Sequence, residues 1–518
     1  MTKASFLFRL PNACLVAILS EWLDMPSIGK LDTAISSKLH RPQFLKSLQN
    51  MRSTSIDLFS DGPHGGFMGG ATGDWAGYWW RWLSIREIFV ESATIEGSKF
   101  HSVLVIPSLR KLKIDYCGKI ALPRELGQSC PALRSLALHY GREHDNQIDE
   151  QISAFGIICL YWKDLEEFFY SRRVSTDHLR DRERLYEYYE TTAVGLLDML
   201  RRCSKLKKVS LTGDTLYGVK LEELHPFDHL LHELHFEGDV GSRVPNTGQA
   251  ITSLLSKCSN LKSFHYFSSQ IAPGDSVEIE KDRLVLNTLY QSCPLLEELS
   301  LMCVSRVTLG SFFSRLRLHP TLTHIHNLWV GMSDISESIL HDIAGMDTLE
   351  QLSLSSCKGL TDAGFAFIAE LKLKHLFISE YYYARRGFAP AYDNSMTEAS
   401  LLSFLGANIG HTLEFFYLSI RSTQRIDADK VATAVASCHN LTSLQLDWGS
   451  GDGSVFGLES AQAIATGCPL LTNVCLKLTL LGYEHMATHC AHLKRCESHP
   501  TVCTVLKAKY LKYGGVNS

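Results

Sequence analysis

Apolar and polar positions recur in one frame along most of the chain. Cys-Pro-Ala-Leu-Arg-Ser-Leu-Ala-Leu (Cys130 to Leu138), Cys-Ser-Lys-Leu-Lys-Lys-Val-Ser-Leu (Cys203 to Leu211), Cys-Pro-Leu-Leu-Glu-Glu-Leu-Ser-Leu (Cys293 to Leu301) and Cys-His-Asn-Leu-Thr-Ser-Leu-Gln-Leu (Cys438 to Leu446) share an L-x-x-L-x-L core. The first apolar positions of successive units read Ile85, Leu109, Leu133, Leu165, Leu206, Leu231, Leu261, Leu296, Leu322, Leu349, Leu373, Leu413, Leu441, Leu471 and, weakly, Leu493. The first two intervals are 24 residues, and most others lie between 22 and 35. In an extended strand, alternate side chains face opposite sides, so Leu296, Leu299 and Leu301 form an inward set and the residues between them face out. One such unit has nothing to bury its apolar face against. Stacked units bury it between a parallel sheet and the return segments. Those returns read as helices at Ala366 to Leu371 and Val431 to Ser437, each ending just before the next strand.

The period lies in the leucine-rich-repeat range, with some longer units. The predicted fold is therefore α/β: a leucine-rich-repeat solenoid with a curved parallel sheet inside, helices outside, and a small N-terminal helical segment. Leu349 to Ala369, with Cys357 eight residues past its first Leu, resembles the cysteine-containing leucine-rich repeat of ribonuclease-inhibitor-like solenoids. Cys117 stands at the same offset from Leu109. The cysteines are expected to be small packing residues at the turns flanking each strand.

Residues 10 to 50 follow a different pattern. Leu10-Pro11 is followed by apolar Leu15, Ile18, Leu19 and Leu23, a break at Pro26, and a second run through Ile28, Leu31 and Ile35, which suits short amphipathic helices. Together with the Asp-x-Pro-Ser-Ile turn, this resembles an F-box, and F-box/leucine-rich-repeat proteins combine such a segment with a solenoid. That resemblance implies docking of a Skp-type adaptor of a cullin ubiquitin ligase through Leu10, Pro11, Leu15, Ile18, Leu19, Leu23 and Leu31. A helical cap shielding the first strand is the alternative reading of the same residues. The expected organisation is 1–50 F-box-like, 51–84 a Gly/Trp-rich linker and N-terminal cap, 85–496 repeats, and 497–518 a C-terminal cap or tail.

Composition narrows the function classes. The 518 residues carry a net charge of -4 and a pI near 6.6, giving no overall electrostatic footprint for nucleic acid or an anionic membrane, so neither partner is expected. The apolar run Leu10 to Ser20 is about eleven residues, short of the ~20 needed to span a bilayer. Lys3 and Arg9 precede it, but no small-residue cleavage site follows. Fifteen cysteines, an odd number spaced with the repeat, point to reduced thiols in the cytoplasm or nucleus. There is no nucleophile elbow, H-E-x-x-H or P-loop, so no enzyme, cofactor or metal is expected. His485, His489, Cys490, His492 and Cys496 form one metal-capable constellation, but their spacing matches no standard finger.

A non-catalytic recognition subunit remains, taking a protein ligand on the concave face. The alternative is a binding scaffold with no ubiquitin-ligase link. Outward aromatics are uncommon unless they contact something, which marks Phe377, Phe415 and Tyr417. The surplus between Leu373 and Leu413 holds Tyr381, Tyr382, Arg385 and Arg386 just after a strand, where the arginines suit a carboxylate or phosphate.

Overall fold

The computed structural model describes residues 32, 41–50, 52–59, 85–86, 89–96, 107–116, 122, 124–140, 148–172, 194–196, 198–213, 231–237, 247–268, 276–317, 325–331, 333–357, 359–379, 397–420, 427–448 and 455–497. The chain divides into two compact units, 1–258 and 259–518. The first holds helix α1 (Arg41–Asn50), strands β1 (Arg52–Phe59), β2 (Phe89–Glu96), β3 (Lys111–Tyr116), β4 (Ser135–Tyr140), β5 (Glu167–Arg172), β6 (Lys208–Gly213) and β7 (Glu233–Glu237), and helices α2 (Arg124–Ser129), α3 (Ile148–Tyr161) and α4 (Thr247–Leu255). The second holds β8 (Ser263–Phe267), β9 (Glu298–Met302), β10 (Asn327–Gly331), β11 (Gln351–Ser355), β12 (His375–Ser379), β13 (Phe415–Ile420), β14 (Ser443–Trp448), β15 (Asn473–Cys475) and β16 (Arg495–Glu497). Its helices are α5 (Ser276–Ser292), α6 (Arg306–Leu316), α7 (Glu337–Ala344), α8 (Asp362–Ile368), α9 (Glu398–Gly406), α10 (Ala428–Val435), α11 (Leu458–Gly467) and α12 (Leu480–His489).

Within each unit, every strand pairs in parallel with the next. Register follows the apolar frame: Leu299 lies opposite Phe264 and Leu328, and Leu301 opposite Tyr266 and Val330, all buried. A one-residue slip would turn this whole set to the other face. Burying each such side chain contributes about 1.5–3 kcal/mol. The fold is the expected α/β leucine-rich-repeat solenoid.

Where β4 to β7 and β9 to β15 begin, two consecutive N–H groups donate to one carbonyl of the preceding repeat. Glu297 and Glu298 both bond Lys262 O (2.7 and 2.9 Å), His326 and Asn327 bond Glu297 O, and Glu350 and Gln351 bond His326 O. Lys374 and His375 continue onto Glu350 O, and Glu414 and Phe415 onto Lys374 O. The first unit repeats the pattern through Arg110, Arg134, Glu166 and Lys207. Side chains along this rail also pair, as in Lys262–Glu297 (2.7 Å), Lys207–Glu166 (2.8 Å) and Lys374–Glu350 (3.0 Å). Exposed pairs of this kind add little stability, about 0–1 kcal/mol each.

A second ladder runs along the helix N-termini. Ser305, Ser336, Thr361, Thr397, Asp427 and Thr479 cap α6, α7, α8, α9, α10 and α12 by accepting a bond from an N–H of the first turn. The acid at the first position of one helix then holds the cap of the next. Glu337 accepts from Thr361 Oγ1 (2.8 Å), and Asp362 accepts from both Thr397 N and Thr397 Oγ1 (2.8 Å each). Glu398 accepts from Asp427 N (2.6 Å) and Lys430 Nζ (2.7 Å), and a related link has Asp429, second in α10, accepting from Ser460 Oγ inside the first turn of α11. These carboxylates also face the positive helix ends. The caps place the helix starts earlier than apolar periodicity does, at Asp362 rather than Ala366 and at Ala428 rather than Val431.

Two repeat frames differ from the sequence reading. Ile85 is 61% exposed, and the repeat's first apolar position is the buried Val90, followed by buried Ala93, because Ser92 pairs with Lys111. The unit assigned to Leu322 is framed by Ile325, Leu328 and Val330, all buried, three residues later. Strand β1 lies in the segment expected as linker and cap, and pairs with β2.

The helix ladder yields a pH test. Burial pushes the Asp362 carboxyl up, but bonds from Ser400 and Thr397 outweigh it and hold it below its ordinary value; the Lys430 ammonium, helped by Asp427 N–H, does the same for Glu398. A carboxyl depressed on folding contributes stability that is full above the unfolded range, about pH 4, and lost as pH falls through the folded value. Asp362→Ala is expected to destabilise the second unit by about 1–3 kcal/mol at pH 7. The deficit should shrink in denaturant titrations as pH falls through the depressed folded value, where the wild-type acid is protonated too.

Candidate functional site

The rail fixes which side chains face away from the helices. In the second unit, the central outward row runs His265, Ser300, Trp329, Ser353, Phe377, Tyr417, Gln445 and Cys475 across β8 to β15. Phe377 and Tyr417 are direct partners in register, and their rings stack with centroids 4.1 Å apart and an interplanar angle of 10°. Ser419 and Ser379 hydrogen-bond the Tyr417 hydroxyl. Both serines are buried. Burial pushes the Tyr417 phenol above its ordinary pKa, and the nearby Asp447 carboxylate adds to the shift.

Phe415 lies one row nearer the rail, edge-on to its register partner His375 at 6.0 Å. The structure thus brings Phe377, Phe415 and Tyr417 together on adjacent strands. At the far end of the row, Trp329 stacks on His265 (5.8 Å, 30°) across Ser300, whose small side chain leaves room for the two rings to lean together. Sequence reasoning missed Trp329, because the Leu322 frame put His324 and His326 in its place. His326 instead stands on the rail, exposed, with its Nδ1 3.1 Å from Thr348 O. The usable signal was the apolar triplet Ile325, Leu328 and Val330. Leu10, Pro11, Leu15, Ile18, Leu19, Leu23, Leu31, Tyr381, Tyr382, Arg385 and Arg386 lie outside the described residues, as does the Gly/Trp-rich stretch 61–82.

The cysteines take the packing position expected of them. Cys130, Cys203, Cys293, Cys438 and Cys468 each end a return segment, donating N–H to its last turn, and the carbonyls of Cys130, Cys203, Cys438 and Cys468 accept from the N–H of the Leu three residues on. Trp162 fills the same place, and its Nε1 donates to Cys130 O (2.9 Å) while Cys203 Sγ faces Trp162 O (3.6 Å). Burial pushes the Cys203, Cys293 and Cys468 thiols up to about 12. These are inert thiols, since the thiolate is the nucleophile and the metal ligand. Among the described residues, no three or more His, Cys, Asp or Glu side chains converge as a metal site, and no helix is long and apolar enough to cross a membrane.

No protein-family model matches the chain, and no curated protein does. Among solved structures, it is similar to an internalin from Listeria monocytogenes (12% identity, covering 73% of this chain and 89% of that one, TM-score 0.32). It is also similar to TLR13 in its complex with ssRNA13 (13% identity, 79% of this chain and 55% of that one, TM-score 0.39). A third is the plant peptide hormone receptor RGFR1 in complex with RGF2 (14% identity, 80% and 50%, TM-score 0.31).

Thiol accessibility checks this geometry. At pH 8, iodoacetamide is expected to label the partly exposed Cys303 and Cys475 while Cys203, Cys293 and Cys468 stay unmodified, read by peptide mass spectrometry. Labelling of Cys293 as fast as Cys475 would contradict the burial described.

Proposed function

We propose that this chain is a non-catalytic protein-recognition subunit that takes its ligand on the helix-free face of the second unit, anchored on β12 and β13. The observation that carries this reading is the Phe377–Tyr417 stack. Two large rings stand half-buried on an outward row, and buried serine hydroxyls tether one of them. Rigid aromatics lose little entropy on binding, and interface anchors are enriched in them. In sequence, Tyr381, Tyr382, Arg385 and Arg386 follow β12 closely, and the proposal includes them as ligand-binding residues. Replacing Phe377 and Tyr417 together by Ala is expected to weaken partner binding by about 2 kcal/mol or more, some 30-fold in Kd, with the fold retained. Unchanged affinity for a partner of the whole chain would move the site elsewhere.

We further propose that the amino-terminal segment makes the chain an F-box-type substrate receptor of a cullin ubiquitin ligase. The support is the Leu10-Pro11, Leu15, Ile18, Leu19, Leu23 and Leu31 pattern. One observation favours the scaffold reading, in which this segment only caps the array. Phe44 and Leu48 on α1 are fully buried, and the buried Asp32 carboxylate pairs with both Arg41 and Arg86 (3.0 Å each). The two readings separate in a pull-down with a purified Skp-type adaptor. The receptor reading expects binding by the full chain and its loss in the triple variant Leu10→Asp, Ile18→Asp, Leu23→Asp with thermal stability kept. The cap reading expects no binding by either protein.

A further inference from the structure

The sequence marks five metal-capable side chains near the C-terminus, and the structure sorts them. Cys490 directs its sulfur toward Met486 Sδ (4.0 Å), its N–H closes α12 on Met486 O, and its thiol is pushed up by burial. His492 follows the helix, and Cys496 lies on β16 opposite Val474. His485 and His489 alone come together. One helical turn apart on α12, their rings stack with centroids 3.9 Å apart and an interplanar angle of 13°.

The hydrogen bonding of this pair sets its chemistry. His489 Nδ1 lies 3.0 Å from His485 O, and a carbonyl only accepts, so Nδ1 carries the hydrogen. In the neutral ring, the lone pair is then on Nε2, the arrangement that second-shell carbonyls impose on metal-binding imidazoles. Two nitrogens that each stand ~2.0–2.1 Å from one ion are at most about 4.2 Å apart. The 3.9 Å separation holds both imidazoles on one side of α12, and rotation of the two rings out of their parallel stack turns their lone pairs onto one ion.

We propose that His485 and His489 form a two-imidazole chelate for a late first-row divalent cation of the zinc, nickel or copper class, with water completing the coordination. Imidazole nitrogen selects these ions over magnesium or calcium, which prefer oxygen. The nearest comparable pair, His411 and His439, does not qualify. Its rings are 6.5 Å apart and tilted by 34°, and His439 Nδ1 is engaged with Gly467 O at 2.7 Å.

Because the chelate spans one turn of α12, an ion bound there must be released before that turn unwinds. Hydrogen exchange of the full chain, read by mass spectrometry on peptides covering 480–489, is the test, with Zn2+ alone as the probe and Mg2+ as the hard-cation comparison. With zinc at 100 times its Kd, exchange through local opening is expected to slow about 100-fold. The effect should vanish in His485→Ala and in His489→Ala, and persist in His439→Ala. Alanine favours helix, so both variants keep α12, and His485→Gln and His489→Gln repeat the test with longer side chains. Absence of zinc protection in the wild type, its persistence in either imidazole variant, or equal protection by magnesium would each overturn the assignment.

Discussion

Everything in each unit depends on a single carbonyl serving two amides. Where the chain turns from a return segment into a strand, consecutive N–H groups converge on one oxygen of the preceding repeat, as Glu297 and Glu298 do on Lys262. That geometry admits one register, and a parallel strand in one register must send the same alternate positions inward each time. Leu299, Leu328, Leu352 and Leu376 then form one buried layer regardless of what lies between them. The outward positions are released from packing, which is why Trp, Ser, Phe and Tyr can share one row with no change in the sheet.

The return segments solve a different problem. Short helices such as α7, α8 and α10 leave orphan N–H groups and little intrinsic stability. Their caps and first-position acids answer both needs, and the links between Asp362 and Thr397 or Glu398 and Asp427 join each helix to its neighbour. At the other end, the pre-strand position tolerates Cys, Trp or Met, since what matters there is an apolar side chain and a free carbonyl for the Leu three residues on. Close approach is the limit. A Cβ on Gly467 would collide with the backbone of Ala436 in the previous turn.

The fold was legible because the leucine frame is long and repeated. It misled only where neighbouring apolar residues mimic it, as Ile85, Ile88 and Val90 mimic the true Val90 and Ala93, and as Leu322 precedes Ile325 by the same three residues that separate Ile325 from Leu328. Phe377, Phe415 and Tyr417 could be marked as outward from the frame alone. Their stacking could not, since it depends on the register of strands whose leucines, Leu373 and Leu413, are separated by a long insertion. The acid-to-cap ladder was invisible for the same reason: Asp362 and Thr397 are 35 residues apart and meet only when repeats stack.

The direction of these links carries one more consequence. At these strand starts and at the helix caps, the accepting group belongs to the earlier repeat and the donor to the later one: Lys262 O precedes Glu297, Asp362 precedes Thr397, and Glu398 precedes Asp427. A chain leaving the ribosome from its N-terminus presents these particular acceptors before the donors that bond them. At these links each newly made repeat thus meets its acceptor already in place.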